Sequence, residues 1–238
     1  MGYTDADAAE LYDLLNRWGG SDDFYLSFVM DAGSVLDVGC GTGALLARAR
    51  DEGHSGRFAG IDPDVAMLER AQRRVPDAEW VEGKAADIAW VGEFELAVMA
   101  SNAFQFLVTD LEESLQRIRE ALVDGGRFVF GTRNPEVREW ESWNPSNPYD
   151  VVDHNGRELR MIYHVEKIEG DVVTFTETTA LRDDTPLRTD RASLNFLGVD
   201  TLNAVLTKAG FTVEAQYGDW SRGPLTSTSE DIITVTRR

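Results

Sequence analysis

The sequence holds a single cysteine, Cys40, and three histidines, His54, His154 and His164. One cysteine excludes an intramolecular disulfide framework and any cysteine-built metal site. The histidines form no pair at a metal-ligand spacing, and no nucleophile elbow or Ser/His/Asp set is visible, so neither metal-dependent nor serine-hydrolase chemistry is expected. No apolar run approaches the ~20 residues needed to span a bilayer. The stretch Met1 to Asp13 is acidic and lacks the basic start and apolar body of a signal peptide, which makes a reducing cytoplasm the expected location. Basic residues are scarce as well: 23 Lys and Arg against 42 Asp and Glu give a net charge of −19. Nucleic-acid binders draw most of their affinity from neutralising phosphates, and anionic membranes favour basic surfaces, so neither partner is expected. The acidic excess leaves an electrostatic preference for a neutral or cationic small molecule.

What is present is an ordinary globular composition, 42% hydrophobic and 10% aromatic over 238 residues, enough for one large α/β domain with an elaboration. The first two thirds alternate apolar runs with amphipathic stretches. Strands are expected at Ser34 to Gly39, Phe58 to Ile61, Glu79 to Val81, Phe94 to Ala100 and Arg127 to Gly131. Helices are expected at Gly43 to Arg50, Val65 to Arg74 and Leu111 to Leu122, the last stopped by Asp124-Gly-Gly126. Near-continuous apolar strands between helices indicate a parallel sheet covered on both faces. From about Tyr149 the period changes to two. Leu159 to Ile168 and Val172 to Leu181 alternate around the turn Glu169-Gly170-Asp171, so Val151 to Leu197 reads as an antiparallel meander. A helix at Thr201 to Ala209 and strands at Phe211 to Tyr217 and Ile232 to Thr236 close the chain. Residues 1–134 and 198–238 are thus expected to form the core, with 1–33 as a helical cap. The β extension is expected at 135–197, entered through a junction containing Pro135, Pro145 and Pro148.

Chemistry concentrates in Val35-Leu-Asp-Val-Gly-Cys-Gly-Thr-Gly43, where Gly39, Gly41 and Gly43 follow a strand and open a helix. Missing side chains let backbone approach a ligand closely, and the helix N-terminus adds free N–H groups. Glycines alone would equally suit a dinucleotide. However, Asp37 would repel a pyrophosphate and suits a cationic amino group. Leu46 also stands where dinucleotide binders keep the glycine that packs helix on strand. Asp62 ends the second strand about twenty residues later, where a carboxylate either accepts hydrogen bonds from a ribose diol or caps the helix beginning at Pro63.

With those residues in view, the chain resembles the class I, Rossmann-like S-adenosylmethionine-dependent methyltransferases of the small-molecule type, over about Ser34 to Arg133. The matching pieces are Leu36 to Gly43, Gly60 to Leu68, Val81-Glu-Gly83, Phe94 to Phe106 and Leu122 to Phe128. The resemblance implies a seven-stranded, mostly parallel sheet with helices on both faces, and an antiparallel meander appended after the fifth strand. It also implies S-adenosyl-L-methionine as cofactor, S-adenosyl-L-homocysteine as product, and direct transfer of the methyl group to N or O of a small acceptor. The Gly39 and Gly41 backbone would hold the methionine moiety beside Asp37, Asp62 the ribose hydroxyls, Pro63 and Met67 the adenosine, and the Ala100 backbone would face the cofactor. Lys84 departs from the family's frequent Gly-Asp. Asp87 could take over the adenine amino group, with Ala85 backbone reading the ring edge, or could be a surface acid.

For the acceptor, Tyr12 resembles the tyrosine that covers the cofactor in small-molecule members, although a helix-face aromatic reads the same. Asn102, Phe104 and Gln105 follow the fourth strand over the site. Of the two catalytic candidates, Tyr12 and Gln105, Gln105 cannot take up a proton at neutral pH, so base catalysis there is not expected; if a base is needed, Tyr12 or the neighbouring Asp13 would supply it. Arg133 could clamp an acidic group or pair with Glu136 or Glu139, and Trp220 could line the pocket. Tyr163, Phe175 and Phe196 are expected to pack the meander's own core, and the meander itself to act as a lid or bury a homodimer surface. A nicotinamide-dependent oxidoreductase, a non-catalytic S-adenosylmethionine-binding protein and an aminopropyl-transferring relative are the rival readings.

Overall fold

The computed structural model describes residues 3–238; Met1 and Gly2 of the expected cap lie outside the described residues. Two helices, α1 (Asp5–Leu15) and α2 (Gly20–Asp31), precede the first strand. Then follow β1 (Ser34–Val38), α3 (Ala44–Asp51), β2 (Arg57–Asp62), α4 (Val65–Arg74), β3 (Glu79–Glu82), β4 (Phe94–Met99), α5 (Leu111–Ala121) and β5 (Leu122–Arg133). An antiparallel run comes next: β6 (Tyr149–Val152), β7 (Glu158–Glu169), β8 (Val172–Leu181) and β9 (Pro186–Asn195). The chain ends with α6 (Val199–Lys208), β10 (Thr212–Tyr217) and β11 (Asp231–Arg237).

Seven strands form one sheet in the order β10-β11-β5-β4-β1-β2-β3, with β11 antiparallel to both its neighbours and the other pairs parallel. Successive residues of β1 serve both faces. Leu36 and Val38 join a core with Leu115, Ile118, Leu202 and Leu206 of α5 and α6. Val35 joins Phe24, Val29, Leu45 and Leu46 of α2 and α3 on the other side. Burial on both faces is why these strands are apolar throughout. A fully buried Leu or Val of this kind contributes roughly 1.5–3 kcal/mol. Among the described residues no helix is long and apolar enough to cross a membrane.

β6 to β9 form a separate four-stranded sheet in chain order. Its Leu159 and Met161 pack against Leu11 of α1, while Phe175 and Phe196 pack with Trp140. Most expected ends move by a residue or so, and two shifts have a visible cause. Asp124-Gly-Gly126 does not follow a helix end but lies inside β5: Phe94 pairs with Leu122 and Leu96 with Arg127, so the glycines form an irregularity that takes up the extra residues. α6 starts two residues early at Val199, because the Gly198 carbonyl already accepts the Leu202 N–H at 2.9 Å.

Candidate active site

The glycine loop follows β1 at the C-terminal end of the parallel strands, beside the crossing between β1 and β4, where open α/β sheets take their ligands. Gly39 N–H donates to the Ile61 carbonyl at 2.8 Å, which ties the loop to β2. Gly39 and Gly41 have φ of +71° and +53° and line a cleft of about 570 Å3. Gly43, also at positive φ, does not line that cleft. A Cβ there would sit 2.8 Å from Trp80 Cη2 and 2.9 Å from Ala71 Cβ, so its absence lets α3 pack on α4 and β3.

Asp37, on β1, is 2% exposed, and its Oδ1 has no hydrogen-bond partner among the described residues. Burial, and secondarily the charge of Asp62, push its carboxyl up to about 7. It lines a recess of about 120 Å3 with Tyr12, Gly39, Ala100 and Ser101. The Asp62 carboxylate accepts the Gly41 N–H at 2.8 Å and the Asp64 N–H at 2.9 Å. Burial raises its pKa, and those two N–H groups oppose the rise. The residue capping α4 is Asp64, whose Oδ1 accepts from Ala66 and Met67, so Asp62 is not the helix cap. The remaining cleft wall is largely apolar, from Val38, Pro63, Met67, Met99, Phe106 and Leu107, with Lys84 and Ala85 at one side.

Tyr12 reaches the loop from α1; a Cβ on Gly41 would lie 3.9 Å from its ring. Its hydroxyl interacts with Ser101, and burial raises its pKa. Beyond Tyr12, Met67, Ser101 and Phe106 the cleft continues into a cavity of about 640 Å3 between the core, α1 and the four-stranded sheet. Arg133 lines this cavity, paired with Glu139 at 2.7 Å, the ion pair weighed from the sequence.

Several residues expected at the site are elsewhere. Phe104 is 1% exposed and stacks on Phe130 at 4.1 Å in the core, leaving Phe106, 59% exposed, to join Tyr12 in the cleft wall. Gln105 is fully buried. Its amide bonds the Asn195 carbonyl at 3.2 Å and accepts from Arg133, joining the core to β9. Asn102 has φ of +58° and opens the short 3-10 turn that carries Phe104; Ser101 and Ala103 line the cleft on either side of it. Trp220 packs on Tyr25 at 5.4 Å and donates to Asp231 at 2.9 Å, away from either cavity. Asp87 turns back to accept the Lys84 N–H at 2.8 Å, capping a 3-10 turn, and is not part of the cleft wall. Conversely, Tyr163 and Phe175, expected only in the meander's core, also line the larger cavity.

A family profile described as "Methyltransferase domain" matches residues 35–126. The cypemycin N-terminal methyltransferase of a Streptomyces species is 32% identical over 245 residues, spanning 98% of this chain and 97% of its own. The dTDP-4-amino-2,3,4,6-tetradeoxy-D-glucose N,N-dimethyltransferase of Saccharopolyspora spinosa is 27% identical, spanning 87% and 86%. Among solved structures, the S-adenosylmethionine-bound amino pentose methyltransferase CalS10 from Micromonospora echinaspora superposes with a TM-score of 0.67 at 20% identity, covering 93% of this chain and 92% of that one. A full-length relationship at this identity sets aside the nicotinamide reading that glycine spacing alone left open. The chain belongs to the class I, Rossmann-like S-adenosylmethionine-dependent methyltransferases and is an enzyme that uses S-adenosylmethionine as its cofactor.

Proposed function

We propose that the enzyme transfers the methyl group of S-adenosylmethionine directly to an amine nitrogen of a small acceptor held between the core and the four-stranded sheet. The observation that carries this reading is continuity: Tyr12, Met67, Ser101 and Phe106 line both the loop-side cleft and the 640 Å3 cavity, so a donor in one faces an acceptor in the other. Nitrogen is favoured because the two sequence relatives are named for N-methylation, one of an amino sugar and one of an N-terminus.

The residues present fit the cofactor. The unpartnered Oδ1 of Asp37 would accept from the ammonium of the methionine moiety, beside Gly39 in the same recess. Asp62 has lone pairs left for a ribose diol. Pro63 and Met67 would offer apolar contact to the adenosine, the Ala85 backbone would read its ring edge, and Ala100 would face the cofactor, since all four line the cleft. Bound there, the cofactor supplies an electrophilic methyl group. The chain's own part is to align the acceptor and exclude water, which provides most of the acceleration such a transfer needs. Residues 135–197 act as the lid over 1–134 and 198–238, with Tyr12 closing the cleft from α1.

Calorimetric titration with S-adenosylmethionine and S-adenosylhomocysteine, with NADH as control, followed by mass spectrometry over a panel of small amines, phenols and acids, tests the reading. Expected are micromolar binding of both the sulfonium and its thioether product, a loss of about 10- to 100-fold with Asp62→Ala, where a charge-assisted contact is removed, and methylation confined to amines. Methylation of phenols or carboxylates with amines untouched overturns the nitrogen assignment.

A further inference from the structure

Glu177 stands in the middle strand β8, with Tyr163 of β7 and Asp190 of β9 as its register partners, and all three line the large cavity. The other charged groups in that cavity are accounted for. Asp64 caps α4. Glu139 holds Arg133 at 2.7 Å. Asp190 holds Arg188 at 2.5 Å, and Arg188 is shared with Asp5. Glu177 forms no salt bridge among the described residues, although desolvation is the largest influence on its carboxyl and raises its pKa; the Tyr163 hydroxyl and, more weakly, Arg188 oppose that rise. A half-buried carboxylate next to a second carboxylate is unfavourable unless something positive completes it. The surrounding wall suits a cation too: Tyr149 stacks on Tyr163 at 6.2 Å between ring centres, while Trp143, 6.2 Å from Tyr163, already carries the Arg133 guanidinium at 5.6 Å. Aromatic faces beside a carboxylate attract an ammonium group and give nothing to an anion.

Taking the acceptor to occupy this cavity, as the reading above has it, we infer that Glu177 is an anchoring residue that selects a cationic acceptor by binding its ammonium group against the Tyr149 and Tyr163 rings. The contact is a charge-assisted hydrogen bond from the ammonium to the Glu177 carboxylate, which fits a chain of net charge −19; the bound ammonium has no lone pair, so methyl transfer to that nitrogen follows release of one proton. Neutral and anionic molecules of the same shape would leave that carboxylate unpaired and bind less well.

The test uses protein loaded with S-adenosylhomocysteine and three ammonium probes: n-propylammonium, glucosamine and alanyl-alanine amide. Each is set against its N-acetylated, uncharged counterpart, with dissociation constants from calorimetry. The sugar and dipeptide arms distinguish the two kinds of scaffold that could carry the amine. The expected result is that at least one ammonium probe binds ten-fold or more tighter than its acetylated form. That preference disappears in Glu177→Gln, returns in part in Glu177→Asp, and leaves the affinity for S-adenosylhomocysteine, which reports an intact fold, unchanged. Absence of an ammonium preference in the unaltered enzyme, or its survival in Glu177→Gln, overturns the anchor. Ammonium binding that depends on Glu177, with no amine methylated, upholds the subsite and removes the N-methylation reading. Amine methylation with the same KM in Glu177→Gln does the reverse.

Discussion

Arg74 at the end of α4 donates through Nη2 to the Asp13 carboxylate of α1 at 2.6 Å, fastening the N-terminal helix beside the glycine-loop cleft. Arg70 adds a bond at 2.9 Å, and the Thr42 hydroxyl of the glycine loop donates to the same carboxylate at 2.5 Å. Asp13 therefore ties α1, α4 and the loop together while Tyr12, its neighbour, covers Gly41. An isolated exposed ion pair is worth little, but the Asp13 side chain is 20% exposed and one carboxylate satisfies several donors. Asp13→Ala should weaken S-adenosylhomocysteine binding by about 3- to 10-fold, a loss of roughly 1 kcal/mol, and speed tryptic cleavage at Arg17. Unchanged affinity by calorimetry would show that α1 closes the site without this clasp.

Asp37 sets binding against stability. Its carboxyl is raised in the folded protein from 3.8 to about 7, by burial first and by Asp62 second. Between those values the folded state binds more protons than the unfolded chain, so the ligand-free protein loses stability as pH rises from about 4 to about 7 and stays at the lower level above that. Asp37→Asn should raise the melting temperature of the ligand-free enzyme at about pH 8 and flatten that decline. The same change removes the carboxylate offered to the ligand's ammonium, so S-adenosylhomocysteine affinity should fall ten-fold or more. In the unaltered enzyme that affinity should grow from about pH 6 to about pH 8, as Asp37 ionises while the ligand's amine stays charged. Melting curves and titrations across that range check both halves, and a variant with lower melting temperature at high pH contradicts the account.

Gly41 and Gly43 both adopt left-handed backbone, at φ of +53° and +70°, but only Gly43 is enclosed. Gly41→Ala adds a methyl to the open cleft and should cost about 1 kcal/mol of backbone strain together with most cofactor affinity. Gly43→Ala drives a methyl into Trp80 and Ala71 and should cost clearly more, roughly 2–4 kcal/mol, seen as a fall of about 5–10 °C in melting temperature. Equal losses at the two positions would mean that the α3 packing yields more readily than its 2.8 Å approach suggests.

Where local chemistry and fold coincide, the sequence was readable. α4 runs from Val65 to Arg74 and β8 from Val172 to Leu181, as their periods of 3.6 and 2 predict. The loop from Gly39 to Gly43 was legible as a tight strand-to-helix turn, since its three glycines all take positive φ, whereas its ligand was legible only from Asp37, Asp62 and the later motifs taken together. The acceptor side was not. Glu177, Tyr163 and Asp190 meet because three strands align in register, and nothing local marks a polar residue in an alternating strand as facing a cavity. Asp87 and Trp220 lie outside the cleft wall for related reasons. A carboxylate three residues after a loop start also closes a 3-10 turn, as Asp87 does on Lys84. Trp220 is claimed by Phe24 and Tyr25, almost two hundred residues away.

Phe104 and Phe106 separate the core from the site within one short turn. The 3-10 turn Ala103–Phe106 sends the first ring inward and the second outward. Phe104 stacks on Phe130 at 4.1 Å with an interplanar angle of 9°, and Phe128 lies beyond it, whereas Phe106 stays 59% exposed where cleft and acceptor cavity meet. Phe104→Ala should therefore act as a large core deletion, costing about 3–5 kcal/mol and lowering the melting temperature by roughly 10 °C. KM values measured on the protein that remains folded should stay close to normal. Phe106→Ala removes a ring that is mostly in solvent in the ligand-free enzyme, so stability should change by less than about 0.5 kcal/mol. Its loss would instead be felt when ligands are bound and the ring becomes covered, as a several-fold rise in KM for the acceptor and weaker S-adenosylhomocysteine binding. Denaturant melts and steady-state kinetics on the two variants give opposite patterns. If Phe106→Ala proved the less stable variant, or left both binding constants unchanged, the ring would belong to the core after all and the boundary between the two cavities would have to be redrawn.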